Sequence, residues 1–521
     1  MIPNKRKILG ATIVIGLFLS CAEKSDYHVP EDQILAKVGD RYITADEFKY
    51  SFEFSPAPLR GGVKPRKTYL DYMIKELLMA NEGYRLGLHK TTYVQSRMKQ
   101  RQYDNLLESF YLKHVHDNVN LEEDDIREAV QKSTVKWRMI IWPTPSLEEA
   151  QNAYAKASQS SLSDYVDQQL AQQEIKRVER EQFETDWLDY LEFRPEVLEK
   201  IVDVEMGKPT EPFPYGDGFA IAQVLDIHRE GNTEDELKLG PRRQKIKERL
   251  HNIESDRIVH ELMDSLITPL DVRVRGPVVE DLISPLYEWV QRGLPDHRSL
   301  FQELEATPDS ARLYLEKISQ MLDEDLVSYS QGIKRVRDFL HYVDYHRSVF
   351  HQSVSVEDFQ NRVITEIGRM MKNDLFVDIA KEEGFLDSLA IKQDLRLWEQ
   401  KWTFDIYRNQ SLLDIKVTEK EMRAYFKNRW RELGIADVDT MRFYKYRDAV
   451  HNAILYEKQI AQLESDLERL RSRYDVWINE DLLRSIELVD DRLINRTSYF
   501  VRKNFNFQAV SPIVDMKWVT L

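Results

Sequence analysis

From Tyr69 to Leu88, the residues Leu70, Met73, Ile74, Leu77 and Leu78 recur at three- and four-residue spacing. That spacing puts them on one face of a helix and demands a partner for the face. Gly87 stands where a left-handed residue would end such a helix. A second stripe follows between Val94 and Val119, made by Tyr103, Leu106, Leu107, Phe110 and Tyr111. Long amphipathic helices in succession restrict the chain to a helix-packed architecture. The composition agrees, because 18 Gly and 18 Pro in 521 residues leave few of the breakers a loop-rich β fold needs. One core cannot serve this length, so two or more domains are expected.

The N-terminus points to export. Lys5, Arg6 and Lys7 precede an apolar run of 13 residues, Ile8 to Ser20. A bilayer span takes about 20 residues, so the run reads as the hydrophobic part of a signal peptide. Ser20 is followed by Cys21, the one cysteine of the chain, which rules out an internal disulfide. The stretch Phe18-Leu19-Ser20-Cys21 resembles a bacterial lipobox, with Phe18 where leucine is usual. The resemblance implies cleavage after a lipoprotein signal peptide (1–20), acylation of Cys21 and a polar tether (21–33). More than one acyl chain gives stable anchoring. The net charge of −15 argues against nucleic acid, whose phosphates require clustered Lys and Arg.

Beyond the tether, ILAKVGDRYITADEF (34–48) has two short alternating strands around Gly39-Asp40. Thr44 then stands as a helix N-cap with Glu47 three residues on. Val135 to Trp142 is β-branched and aromatic, as a strand should be, and Ser146-Leu-Glu-Glu149 is a capping box. This order resembles the SurA/PrsA chaperones, in which a helical lobe is interrupted by a parvulin isomerase domain and then resumed. The stretch Val204 to Phe213 and the strand Gly218 to Val224 resemble the closing elements of a parvulin. Pro241 to Leu270 and Asp271 to Val274 resemble the resuming helix and strand.

The second half repeats the first in order. Leu326 to Phe339 aligns with Leu35 to Phe48, Asp378 to Phe385 with Asn81 to Leu88, and Ile415 to Met422 with Val119 to Ile126. Gln459 to Leu470, followed by Tyr474 to Ile478, resembles the resuming helix and strand of the first copy. Such repetition implies one kind of surface presented twice. The expected architecture is mostly α with an inserted α+β parvulin-like domain and a duplicated SurA-like helical lobe. Residues 34–134 and 233–283 would form the first lobe, 135–232 the parvulin-like domain, and 284–521 a second lobe without an insert.

The resemblance also says where chemistry should sit. Parvulins place a histidine in the first strand and another in the last, facing a twisted amide. Aligned on those patterns, this chain has Met139 and Ala220, and EQFETDWLDY (181–190) replaces the glycine-rich segment. The implied domain is degenerate, with Met139, Phe213 and Phe219 left as candidate peptide-binding residues. His341 with His346, and His114 with His116, lack the spacing of a helical metal site, so they read as exposed histidines. No cofactor or metal is implied. The resemblance implies a chaperone or foldase on the periplasmic side of a bacterial membrane, expected to be the outer one, held there by its lipid. It would bind unfolded exported or outer-membrane polypeptides. The alternatives are an active peptidylprolyl isomerase, or a structural lipoprotein subunit of the outer-membrane assembly machinery.

Overall fold

The computed structural model describes residues 29–61, 63–171, 179–201, 204–216, 218–229, 236–291, 300–305, 313–346, 350, 355–433, 443–488 and 511–520. The leader and Cys21 lie outside the described residues. No described helix is long and apolar enough to cross a membrane.

The first hairpin joins β1 (Ile34–Val38) to β2 (Arg41–Thr44), turning at Gly39, whose φ of 59° favours glycine. Thr44 caps α1 (Ala45–Glu53) reciprocally with Glu47, each backbone N–H lying 3.1 Å from the other's side-chain oxygen. The next helix, α2 (Pro65–Arg85), ends before Gly87 at φ 75°. α3 (Thr92–His114) and α4 (Glu123–Lys132) lead into an α+β segment. That segment runs β3 (Val135–Thr144), α5 (Leu147–Ala157), α6 (Leu162–Ala171), β4 (Leu188–Asp189), α7 (Pro195–Ile201), β5 (Phe213–Tyr215) and β6 (Gly218–Arg229). It is followed by α8 (Glu236–Leu266), β7 (Arg273–Val274), α9 (Gly276–Gln291), α10 (Leu300–Glu305) and α11 (Leu313–Met321).

A second hairpin, β8 (Asp325–Tyr329) and β9 (Gly332–Arg335), opens the repeat. Behind it come α12 (Val336–Tyr345), α13 (Val356–Glu382), α14 (Leu389–Leu412), α15 (Glu419–Arg429) and α16 (Phe443–Arg473). Then come β10 (Val476–Ile478) and α17 (Glu480–Ser485), and the last described element is a 3-10 turn, Met516–Thr520. Gly384, at φ 79°, repeats the role of Gly87 after α13. The fold is therefore mostly helical with three small antiparallel sheets.

The chain divides into two compact units, 1–108 with 377–521 and 109–376. This corrects the expected lobes. In the first unit, β1 pairs with β2 and has β10, not β7, on its other side, Ala36 opposite Ile478 and Val38 opposite Val476. The N–H of Gly39 reaches the carbonyl of Asp475 at 2.9 Å. In the second unit, β7 pairs with β8, Val274 opposite Val327, and the N–H of Ser330 reaches the carbonyl of Leu270 at 2.8 Å. The two hairpins are thus closed in the same way, but each by the strand expected to close the other. The physical reason is that residue period determines which face of a segment is buried, not which of two similar hairpins it covers.

Each unit has its own core. In the first, Leu35, Val38 and Phe48 pack with Leu70, Leu78, Leu467 and Leu470. The stretch Gln459 to Leu470 therefore docks as part of α16 in this unit, with Leu463, Leu467 and Leu470 in its core. Asn81 of α2 is buried and donates to the carbonyl of Val38 at 2.8 Å. Beside it, buried Glu82 accepts from Arg85, Arg469, Arg473 and Tyr474. In the second unit, Leu282, Leu286, Leu326, Phe339 and Phe359 share a core. There Lys334 of β9 donates to Asp374 of α13 at 2.6 Å.

Candidate functional site

The parvulin-like segment forms a four-stranded antiparallel sheet in the order β4-β3-β6-β5. Side chains alternate between its faces. Met139, Ala220 and Phe213 lie in one buried cluster with Val197 and Ile201 of α7. Ile140 and Ile221 lie in another, with Ala153 of α5 and Val166 of α6. The histidine-equivalent positions thus come together on one face, where both side chains are fully buried. Phe219 does not join them: its alternation in β6 sends it to the face opposite Ala220, half-buried, with its strand partner Thr144. The proposed trio of peptide-binding residues is therefore split between the two faces of the sheet.

The stretch 181–190 also has a structural task. Thr185 exchanges bonds with Met139, its N–H reaching the Met139 carbonyl at 2.8 Å and its hydroxyl accepting the Met139 N–H at 3.1 Å. Asp189 is tied to Arg249 of α8 at 2.9 Å. His228 lies at the other end of β6 from Ala220, opposite Lys136 and 5.7 Å from the ring of Trp187.

The histidines of the two pairs pack on rings. His114 lies 4.5 Å from Phe110, His116 5.2 Å from His251, His341 3.9 Å from Phe301, and His346 4.0 Å from Tyr342. The expectation of exposed histidines holds for His341 and fails for His114, His116 and His346, which are half-buried. Aromatic residues divide likewise: Phe110, Tyr111, Trp402 and Phe404 are buried, whereas Tyr444 is 70% exposed.

A groove in the first unit went unnoticed in the sequence. Its walls are the β1–β2 hairpin, α1, α2 and α14, and residues 511–518 lie in it. Val514 and Trp518 are buried there, and the Trp518 ring stands 6.2 Å from Phe404. The polar anchor is Glu76 of α2. It accepts the backbone N–H of Asp515 at 2.6 Å and the indole N–H of Trp518 at 3.0 Å, while Lys401 of α14 donates to it at 2.7 Å. Burial pushes the Glu76 carboxyl above the usual range, against the pull of Lys401. Arg408 pairs with Asp515 and lies over Phe404. A cavity of about 80 Å³ remains beside 511–514, lined by Tyr42, Glu47, Ser51, Met73, Leu77 and Leu397 among others. Glu47 is itself raised by burial, though Arg396 pairs with it.

One local signal for this site existed. Glu76 falls on the apolar face of α2, three residues after Met73 and four before Ala80, and a carboxylate there needs a cation. Its partners Lys401 and Trp518 come from far along the chain and carry no pattern that links them to it.

No family model matches the chain, and no curated protein does. Solved structures do match. One is the peptidylprolyl isomerase PrsA of Bacillus anthracis, at 12% identity and a TM-score of 0.22, over 38% of this chain and 96% of that one. Another is a Campylobacter jejuni protein of the SurA-like chaperone pair that includes the virulence factor PEB4, at 14% identity and a TM-score of 0.22, over 46% of this chain and 100% of that one. PrsA of Bacillus cereus is similar at 10% identity and a TM-score of 0.21, over 42% and 88% of the two chains. The neighbours are PrsA and SurA-like chaperones.

Proposed function

We propose that this protein is a chaperone that holds unfolded exported polypeptides on the periplasmic side of a bacterial membrane, anchored through acylated Cys21. One observation carries the reading: the first unit has a groove that takes a short apolar segment and anchors it by a backbone N–H and an indole N–H on one carboxylate. Backbone recognition is indifferent to sequence, and apolar walls suit segments that folding would otherwise bury. Binding of this kind needs no nucleotide. The resemblance of the hairpin, the α2 sequence and the closing parvulin strands to SurA/PrsA proteins supports the same reading. So does the replacement of both parvulin histidines by Met139 and Ala220, which leaves the second domain as a binding or structural module.

The test is purification of the native protein from membranes, with partner stoichiometry read by mass spectrometry. A heterogeneous, substoichiometric set of exported proteins is expected. One or two partners at equal ratio would replace the chaperone with a fixed subunit of an assembly complex. A peptide isomerisation assay addresses the parvulin-like domain separately: acceleration that disappears on substituting Met139 or Ala220 would overturn the inactive assignment. Loss of radiolabelled palmitate in Cys21→Ser would establish the anchor.

A further inference from the structure

We propose that Ser511–Trp518 is an internal occupant of the chaperone groove, which a client segment must displace. The inference rests on the chaperone reading and adds the regulation of its site.

Three features of the segment distinguish a removable occupant from ordinary core. Among the described residues it belongs to no strand ladder. Residues 512–515 lie in no helix or strand and Met516–Thr520 form one 3-10 turn; the described N–H bonds of the segment include those of Val514 to the Tyr69 hydroxyl, Asp515 to Glu76, Lys517 to the Asp515 side chain and Trp518 to the Asp515 carbonyl. The rest of its hold includes two buried side chains, Val514 and Trp518, the indole N–H of Trp518 on Glu76 and the Asp515–Arg408 pair. β10, by contrast, is paired residue by residue with β1.

The fit is also incomplete. About 80 Å³ stays open beside Ser511–Val514, where ~10–15 Å³ accommodates one water. Water displaced from this partly apolar wall by a larger apolar side chain favours binding. A client with a bulkier residue in place of Pro512 or Ile513 therefore binds the same groove better than the tail does. The geometry specifies the class of ligand: a peptide with a branched aliphatic residue at the Val514 place and, one 3-10 turn further on, an indole four positions away. Lys75, 5.6 Å from the Trp518 ring, adds a cation over that aromatic.

Tethering gives the competition its size. A linked segment acts at an effective concentration on the order of 1 mM. A tail with a dissociation constant of about 0.1 mM as a free peptide would then be seated roughly ten times in eleven, and would weaken clients about tenfold.

The experiment uses the full mature chain, a chain ending at Val510, and full-length Trp518→Ala. The probes are a fluorescent peptide of residues 511–521 and an unfolded, aromatic-rich client peptide, both followed by anisotropy. The tail peptide should bind the Val510-terminated chain and bind the intact chain at least tenfold more weakly. The client should bind both altered chains about tenfold more tightly than the intact one, and free tail peptide should compete with it. If the Val510-terminated chain is folded by circular dichroism and takes up no tail peptide, the inference is overturned. Should that chain unfold, Trp518→Ala decides: a folded variant with raised client affinity upholds the inference, and a variant that loses both fold and client binding overturns it. Client binding that is equal in all three chains would overturn the tail's role and leave the chaperone reading standing. Tail-peptide binding without client binding by any chain would do the reverse.

Discussion

Ala36 in β1 lies opposite Ile478 in β10, so a residue near the start of the described chain shares a strand pair with one near its end. The core of the first unit is correspondingly shared, with Leu35 and Val38 packed beside Leu467 and Leu470.

A chain stopped before Phe443 should therefore lose the first unit while the second keeps its own core. Hydrogen exchange checks this directly: protection over 34–44 should vanish and protection over 325–343 persist. Unchanged protection at β1 would mean that the hairpin does not need its distant partner. The milder Leu470→Ala, at a fully buried site, should cost about 2–5 kcal/mol in the first unit.

Glu82 predicts acid sensitivity. The side chain of Arg85, then Arg473, Tyr474 and Arg469, hold its carboxyl down at about 2. A carboxylate depressed in the folded state stabilises above its unfolded value near 4.5, and that contribution is lost as pH falls towards 2. The arginines are half-exposed, so solvent screening leaves a contribution of ~2 kcal/mol. Urea midpoints measured from pH 7 to pH 3 should fall for the parent chain and fall less for Glu82→Gln.

Arg101 of α3 is fully buried and forms a fork on Asp394 of α14, at 2.6 and 2.5 Å, with Asn105 adding a bond at 2.8 Å. Removing one charge strands the other, so Asp394→Ala should cost about 3–5 kcal/mol. The double change Arg101→Met with Asp394→Leu should cost less than Asp394→Ala alone. A thermal denaturation series of the three variants gives the order.

Gly83 lets α2 approach α14. A Cβ there would come 2.7 Å from Thr403 Cγ2 and 3.1 Å from the Thr403 carbonyl. Gly83→Ala ought to stabilise a free helix by up to about 1 kcal/mol, yet here it should destabilise by ~1–3 kcal/mol through overpacking. Adding Thr403→Ala removes the nearer of the two contacts and should recover part of the loss in chemical denaturation.

Local order was legible in the chain itself. Gly39, Gly87 and Gly384 occupy left-handed positions, Thr44 and Ser146 cap their helices, and the strand over 135–142 forms, running on to Thr144. These follow from backbone sterics, capping and residue period, which act over a few positions. The repeat was legible too, because two similar patterns produce two similar hairpins. Pairing was decided only in three dimensions. β7 and β10 are interchangeable as short strands after long helices, so choosing between β8 and β1 depends on which cores they complete. The same holds for Glu76. Its place on the apolar face of α2 is local, whereas Lys401 and Trp518 reach it through packing of distant segments. Periodicity determines what each segment must bury; only the folded chain determines against what.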